Sequence, residues 1–459
     1  MRIPVMKQQG HSKFGFKKTG LLIGVMASGG FWISAHAQYA EPPQITWGEK
    51  LMVDSSEAYQ GPWRMNESDF RYVDDPAVIL FDSGEAGLVW VDQQEQEVFF
   101  QRVDESDRKH PAEPVNVSQS PDIFSWLPRI AHHPENPDKI YVVWQDIVFS
   151  GGSHGGEIFF TKSEDGGRSF DQPVNLSNTQ NGAGKGRLSQ RMWDNGSLDF
   201  AIGPKGNIYI TWTEYEGRLR VTRSTDGGST FSEPLTLADE NHAGPARAPS
   251  IAVHDQHVHV VWSIGEDAVG DIYQAASKNS GESFDDPEAA VETNGHSDAP
   301  QIAFDSRGVL HLVFGKSDEG PMRDYRILYA DKQPDASAFN EPRELSEAHT
   351  EEFESVHYPT IRTDRNDNLY ILWELFPDNM REARGLGVTT SGNGGASFAR
   401  PVIVPESNQA EYGMSGSRQG SLMTKLDVNG GGDIAVVNST FRSGEGSYIW
   451  LWRGSAMEQ

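Results

Sequence analysis

Basic residues are scarce in this chain, 39 Lys and Arg against 66 Asp and Glu, so the places where they gather carry information. Five stretches collect them, or the aromatic and histidine residues that work beside them. Lys185, Arg187, Arg191 and Trp193 lie between Ser177 and Gly196, and His242 and Arg247 lie between Leu237 and Pro249. Gly315 to Arg326 holds Lys316, Arg323, Tyr325 and Arg326, while Ser346 to Tyr358 holds His349, Glu352, Glu354, His357 and Tyr358. Pro405 to Arg418 adds Glu411, Tyr412 and Arg418. A guanidinium fork matches a carboxylate or sulfate, so these stretches, if they converge, suit an anionic ligand held in a local basic pocket. Long loops also tolerate charge without using it. Both readings stay open until the elements that position the loops are known.

Those elements are set by a repeated phrase. Ser163-x-Asp165-x-Gly167-x-Ser169-Phe170 is followed by Pro173, and Ser224-x-Asp226-Gly-Gly228-x-Thr230-Phe231 by Pro234. Ser277-x-Asn279-x-Gly281-x-Ser283-Phe284 precedes Pro287, and Ser391-x-Asn393-x-Gly395-x-Ser397-Phe398 precedes Pro401. The Asp or Asn can cap backbone N–H groups of a tight turn, Gly can take a positive φ, and the aromatic can plug between sheets. A decayed copy stands at Asp335-Ala336-Ser337-Ala338-Phe339, where the period places it. The phrase resembles the Asp-box (BNR repeat) of the sialidase-like β-propeller superfamily.

A second pattern precedes each box: a Pro-led apolar strand, a turn, then a strand ending in Trp. Examples are Pro128-Arg129-Ile130 with Tyr141 to Trp144, Pro249-Ser250-Ile251 with His259 to Trp262, and Pro359-Thr360-Ile361 with Tyr370 to Trp373. Phe314 takes the Trp position after Pro300-Gln301-Ile302. Runs this short, bounded by turn residues, read as sheet strands. Units therefore start near 76, 128, 198, 249, 300 and 359, with a weaker one near 421. The expected fold is all-β, a propeller of four-stranded blades, seven of them with six as the alternative. Ile45 to Val53 is expected to supply the outer strand of the last blade, joining both termini and removing a free sheet edge.

In such a ring the boxes mark one face, and the opposite face collects the blade links and the turns between second and third strands. That opposite face is where a ligand site is expected. Sialidases hold the sugar carboxylate with three arginines and use a tyrosine nucleophile assisted by a glutamate, with an aspartate as acid/base. The resemblance implies Asp75, Glu214 and Tyr358 as catalytic groups, with Arg71, Arg247, Arg323, Arg326 and Arg418 as substrate contacts. Two departures stand against it. Arg71-Tyr72-Val73 replaces the Arg-Ile-Pro that introduces the first arginine, and true sialidases have six blades. The resemblance implies a glycosidase acting on an acidic sugar; a non-catalytic binding or assembly propeller is the alternative. A third reading is a polysaccharide lyase, a class that includes seven-bladed propellers. There His154, with Tyr215 or Arg191, would supply a base and a charge neutraliser and need no covalent intermediate.

The remaining features narrow the field. Residues 1–37 read as a signal peptide: Arg2, Lys7, Lys13, Lys17 and Lys18, an apolar run from Leu21 to Ile33, then Ala35-His36-Ala37. The run is short for a bilayer span, so the expectation is cleavage after Ala37, an exported protein, and one propeller domain over residues 38–459. Without the leader, 34 basic residues face 66 acidic ones, a net charge of −32. That field disfavours nucleic acid and anionic membranes. There is no Cys, hence no disulfide, thiolate catalysis or Cys-ligated metal. His254, His257 and His259 read as packed or solvated histidines rather than a metal set. The Gly151 to Gly156 stretch is no phosphate cradle, since no helix follows it. No cofactor is expected, and the expected partner is an acidic carbohydrate.

Overall fold

The computed structural model describes residues 44–148, 156–189, 192–241, 244–265, 269–349, 352–378, 382–418 and 424–457. The chain forms seven antiparallel blades in a ring. Blade 1 runs through Val73–Leu80, Ala86–Asp92, Glu97–Val103 and Lys109–Asn116. Blade 2 uses Ser125–His133, Asn136–Asp146, Glu157–Ser163 and Val174–Asn175. Blade 3 uses Leu198–Ile202, Ile208–Thr213, Leu219–Ser224 and Leu235–Ala238. Blade 4 uses Ala246–His254, His257–Ile264, Asp271–Ser277 and Glu288–Val291. Blade 5 uses His296–Phe304, Leu310–Ser317, Arg326–Lys332 and Arg343–Glu344. Blade 6 uses Ser355–Thr363, Leu369–Phe376, Leu386–Ser391 and Val402–Ile403.

Blade 7 closes the circle with both ends of the chain. Its own strands are Leu426–Val428, Asp433–Arg442 and Gly446–Met457. Gln44–Trp47 and Leu51–Ser56 pair antiparallel with the last of these. The N-terminal segment thus completes the outer edge, as the incomplete last repeat requires. An unpaired strand edge is a template for unwanted pairing, and here the chain covers its own.

The core is divided among the blade junctions. Seven apolar clusters each join one blade to the next, and one joins blade 7 (Ala435, Val437, Ile449, Leu451) to blade 1 (Val78, Leu88, Trp90). The strand-ending aromatics Trp90, Trp144, Trp212, Trp262, Phe314 and Trp373 are at most 1% exposed. Each indole buries roughly 150–250 Å², on the order of 4 kcal/mol of transfer free energy.

The repeated turns follow the chemistry of their residues. In blade 2, Gly167 N–H and Asp165 N–H donate to Ser163 Oγ at 2.9 and 3.3 Å, while Ser169 N–H and Oγ–H donate to Asp165 at 3.0 and 2.7 Å. The turns at 224–230, 277–283 and 391–397 repeat this pattern. Their glycines have φ of 76 to 85°, a left-handed conformation in which a Cβ is strained.

Candidate functional site

Inner strands begin at Val73, Ser125, Ala246, His296 and Ser355, three or four residues ahead of the prolines that mark them in the sequence. Proline has no N–H and crowds the residue before it, so the ladder breaks there and resumes with a register shift. In all five blades the residue before proline takes a positive φ: Asp75 54°, Leu127 52°, Ala248 48°, Ala299 50° and Tyr358 54°. Non-glycine residues in that region cost of order 1–3 kcal/mol and cluster where function demands it. One backbone device, repeated in five of the seven blades, thus places different side chains at the start of the inner strands, on the face of the blade links where a channel mouth is expected.

Blades 4, 5 and 6 meet there in a buried charge network. Arg247, 1% exposed, donates through Nε to Asp298 Oδ1 at 3.1 Å and through NH1 to the Gly265 carbonyl, with NH2 at 3.2 Å from His296 Nε2. Burial alone would raise the Asp298 carboxyl; the Arg247 guanidinium and the His296 ring more than offset it and hold it well below the usual range. His357 is buried beside them, its ring stacked on Tyr325 at 3.8 Å between centroids. Burial pushes the His357 imidazole down to about 3 against the pull of Asp298, so the ring is neutral under working conditions. Tyr358, only half-buried, lies against His357 at 4.1 Å between centroids.

Tyr358 also packs on a small cluster of Met322, Tyr325, Phe376 and Ala383. Two arginines follow members of that cluster in sequence. Arg323 is exposed, and Arg384 is half-buried with its Nε shielded from solvent. Neither has a carboxylate partner among the described residues. Arg384 was not among the expected arginines; of those that were, Arg71 and Arg326 have carboxylate partners and Arg418 has polar and ring contacts instead. Arg71 pairs with Glu57 at 2.8 Å and Asp69 at 3.2 Å, and Arg326 with Asp324 at 2.6 Å. Arg418 reaches Gln60 at 2.9 Å and lies over the Phe441 ring.

The expected carboxylates are held by the protein itself. Asp75 is fully buried, accepting the Leu127 N–H at 3.0 Å and the Ser417 hydroxyl. Burial pushes its carboxyl well up, and the neighbouring Asp74 charge adds to that. Glu214 lies on blade 3, between its second and third strands, bonded to Arg218 at 3.0 Å and Arg220 at 3.3 Å. Asp75, Glu214 and Tyr358 therefore stand on blades 1, 3 and 6.

Several contributors went unnoticed in the sequence. His296 and Asp298 precede Pro300 as Asp74 and Asp75 precede Pro76, so the recurring X-Pro junction was their available signal. Glu374 and Lys425, both buried, pair between blades 6 and 7, and Lys425 also donates to Asn438 at 2.8 Å. Nothing local marks that pair, because it forms across 51 residues of chain.

Two aromatic groups lie on the link and turn segments of the same face. Trp63, 44% exposed, contacts Phe70, Phe124 and Trp126 at centroid distances of 5.5 to 6.0 Å. Trp193 stacks on Tyr215 at 4.3 Å and 9°, with Arg187 near the indole. Such faces suit the C–H side of a sugar ring. His154, Arg191 and His242 lie outside the described residues, as does the leader. Among the described residues no group of three His, Asp or Glu side chains could hold a metal ion, and no helix is long and apolar enough to cross a membrane.

No protein-family model matches the chain, and no curated protein does. Solved structures of the same fold do. A polysaccharide lyase PL25 ulvan lyase bound to -[GlcA(1-4)Rha3S]- is 10% identical, with a TM-score of 0.54 over 87% of this chain and 95% of the lyase. Polysaccharide lyase Uly1 is 10% identical, with a TM-score of 0.52 over 89% and 99%. The NanB sialidase of Streptococcus pneumoniae is 10% identical, with a TM-score of 0.46 over 78% and 70%. At 10% identity the two lyases, with TM-scores above 0.5, show likeness of the propeller fold alone.

Proposed function

We propose that this is an exported, carbohydrate-acting propeller that takes an acidic glycan at the channel mouth, with the reaction centred on Tyr358. One observation carries the reading: Arg323 and Arg384, without carboxylate partners among the described residues, each directly follow in sequence a member (Met322, Ala383) of the cluster on which Tyr358 packs. In a chain this acidic, such guanidinium groups suit a carboxylate supplied by a ligand. The aromatic faces of Trp63 and of the Trp193–Tyr215 stack suit its sugar rings. The ulvan lyase of the same fold, with its uronate-containing ligand, fits the same class of substrate.

Elimination is favoured over hydrolysis. Hydrolysis by the sialidase scheme needs Glu214 beside Tyr358 and Asp75 as a solvent-facing acid. Glu214 is engaged by two arginines on blade 3, and Asp75 is buried. Elimination asks less: the Tyr358 oxygen, acting as general base, takes the proton from the carbon beside the sugar carboxylate. The arginines neutralise that carboxylate, the bond to the leaving sugar oxygen breaks to leave a C=C double bond, and the Tyr358 hydroxyl returns the proton to that oxygen. Uronate polysaccharides and sialosides, incubated in parallel, separate the two chemistries. An unsaturated product with an ultraviolet absorbance rise is expected from a uronate substrate. Tyr358→Phe should lower kcat by about 10² or more, while Arg323→Ala acts mainly on KM. Release of free sialic acid that depends on Glu214 would establish hydrolysis instead. Neither binding nor turnover with any acidic glycan would sink the proposal.

A further inference from the structure

The face of the repeated turns carries a cavity that the channel mouth does not explain. At four junctions the turn glycine sits directly on an aromatic ring of the preceding blade: Gly167 on Phe100, Gly228 on Phe160, Gly281 on Tyr209 and Gly395 on Tyr329. Three of those rings occupy one register, three residues before the end of the third strand, where Phe100, Phe160 and Tyr329 precede Val103, Ser163 and Lys332. The turn's own aromatic seals each junction, with Phe170 and Phe100 at 5.5 Å, Phe231 and Phe160 at 4.9 Å, and Phe398 and Tyr329 at 4.9 Å.

Between blades 4 and 5 the ring of the preceding blade and the hydrogen-bonded turn with its glycine are missing, while the turn's aromatic remains as Phe339, packed against the junction core. Blade 4 has Gln274 at the register of the ring, followed by Ala275 and Ala276. In the facing turn of blade 5, Lys332, Pro334 and Ala336 stand where the other copies have Ser, Asp or Asn, and Gly. The two departures together open a cavity of ≈ 580 Å³, within the usual range for a small-molecule site.

The cavity is finished with polar groups rather than left as a void. His259 is buried with Nε2 at 2.7 Å from Gln274 Oε1, and Gln274 Nε2 donates to Glu288 Oε1 at 3.0 Å. Phe304 forms an aromatic wall with His254, their centroids 5.6 Å apart. The half-buried Lys332 lines the opening and has no carboxylate partner among the described residues. Among the lining side chains five carboxylates (Asp255, Asp285, Asp286, Glu288, Asp335) face three cations (Lys278, Arg307, Lys332). That balance disfavours an anion. Amide, imidazole, carboxylate and ammonium groups around an aromatic wall match hydroxyls on one side of a sugar and C–H groups on the other.

We infer that this cavity is a second, non-catalytic glycan site that binds a neutral mono- or disaccharide on the face opposite the channel mouth. Titration calorimetry of the full chain with a panel of neutral disaccharides (cellobiose, lactose, maltose), beside glucuronate, tests it. At least one neutral sugar is expected to bind and glucuronate to bind more weakly. Gln274→Phe, which restores the ring of the other junctions, should fill the cavity and cut affinity at least about tenfold. Lys332→Ala, at a half-buried position that leaves the fold's core alone, should weaken binding several-fold. Turnover at the channel mouth should be unchanged in both variants, so failure here is separable from failure of the proposed reaction. Absence of binding across the panel, or equal affinity in Lys332→Ala and in a folded Gln274→Phe, would overturn the inference.

Discussion

The two faces of the ring obey different rules. On the turn face, four junctions use one solution: a Ser–Asp/Asn hydrogen-bonded turn whose glycine rests on the ring of the previous blade. At the channel mouth the backbone also repeats, as a left-handed residue before proline, yet its side chains are Asp75, Leu127, Ala248, Ala299 and Tyr358. Repetition of both backbone and side chain builds a frame. Repetition of backbone alone displays chemistry. The blade 4–5 junction teaches the same from the opposite side, since it is where the turn face stops repeating that a polar cavity opens.

The comparison can be broken first at Arg247. If the network at the mouth is a structural support for Tyr358, Arg247→Ala strands the Asp298 carboxylate in a buried site. It should cost about 3–5 kcal/mol by urea denaturation. Arg247→Lys should restore little, because an ammonium cannot span three acceptors as the fork does. A small loss of stability with a large rise in KM would instead make Arg247 a ligand contact.

A second test uses pH. Asp146 is buried at the mouth of blade 2, accepting from Trp144 at 2.6 Å, Ser125 at 2.6 Å and Ser120 at 2.7 Å. Burial outweighs these bonds and pushes its carboxyl up to about 7. The folded state therefore keeps the proton longer than the unfolded chain does. The resulting stability is fully present below about pH 4 and is lost as pH rises to about 7. Asp146→Asn cannot ionise, so its unfolding free energy should fall less over that window, by roughly 2–4 kcal/mol. Parallel curves for the two proteins would show that Asp146 ionises freely in the fold.

The smallest effect is expected on the repetitive face. Gly395→Ala forces a Cβ onto φ 83° and against the Tyr329 hydroxyl. It should cost roughly 1–3 kcal/mol and lower Tm without touching turnover. A loss of turnover would mean that the two faces are coupled through blade 6.

The frame was readable because its signals are local. Ser, Asp and Gly at fixed spacing close one turn whatever lies around them, so four copies and a period sufficed to place strands. The missing outer strand of the last repeat pointed to Ile45–Val53, and the observed pairing uses Gln44–Trp47 and Leu51–Ser56. Strand starts were less legible. The proline marked them, but the ladder extends three or four residues ahead of it through a bulge that no alternation pattern reveals. The arginines were visible as residue types, while their pairing was not. Arg323 differs from Arg71 and Arg326 only in what surrounds it, and Arg384 stands in none of the stretches the sequence singled out.

The sequence by itself determined the repeat and its turn chemistry, and pointed to seven units, with six as the alternative, and to the way the two termini close the ring. All of these follow from interactions within about ten residues or from counting. Tertiary structure alone decided which charges are spent inside the protein. Arg247 meets Asp298 across 51 residues and Lys425 meets Glu374 across 51. Burial in a low-dielectric junction, rather than residue type, is what separates a structural ion pair from a group left to meet a ligand.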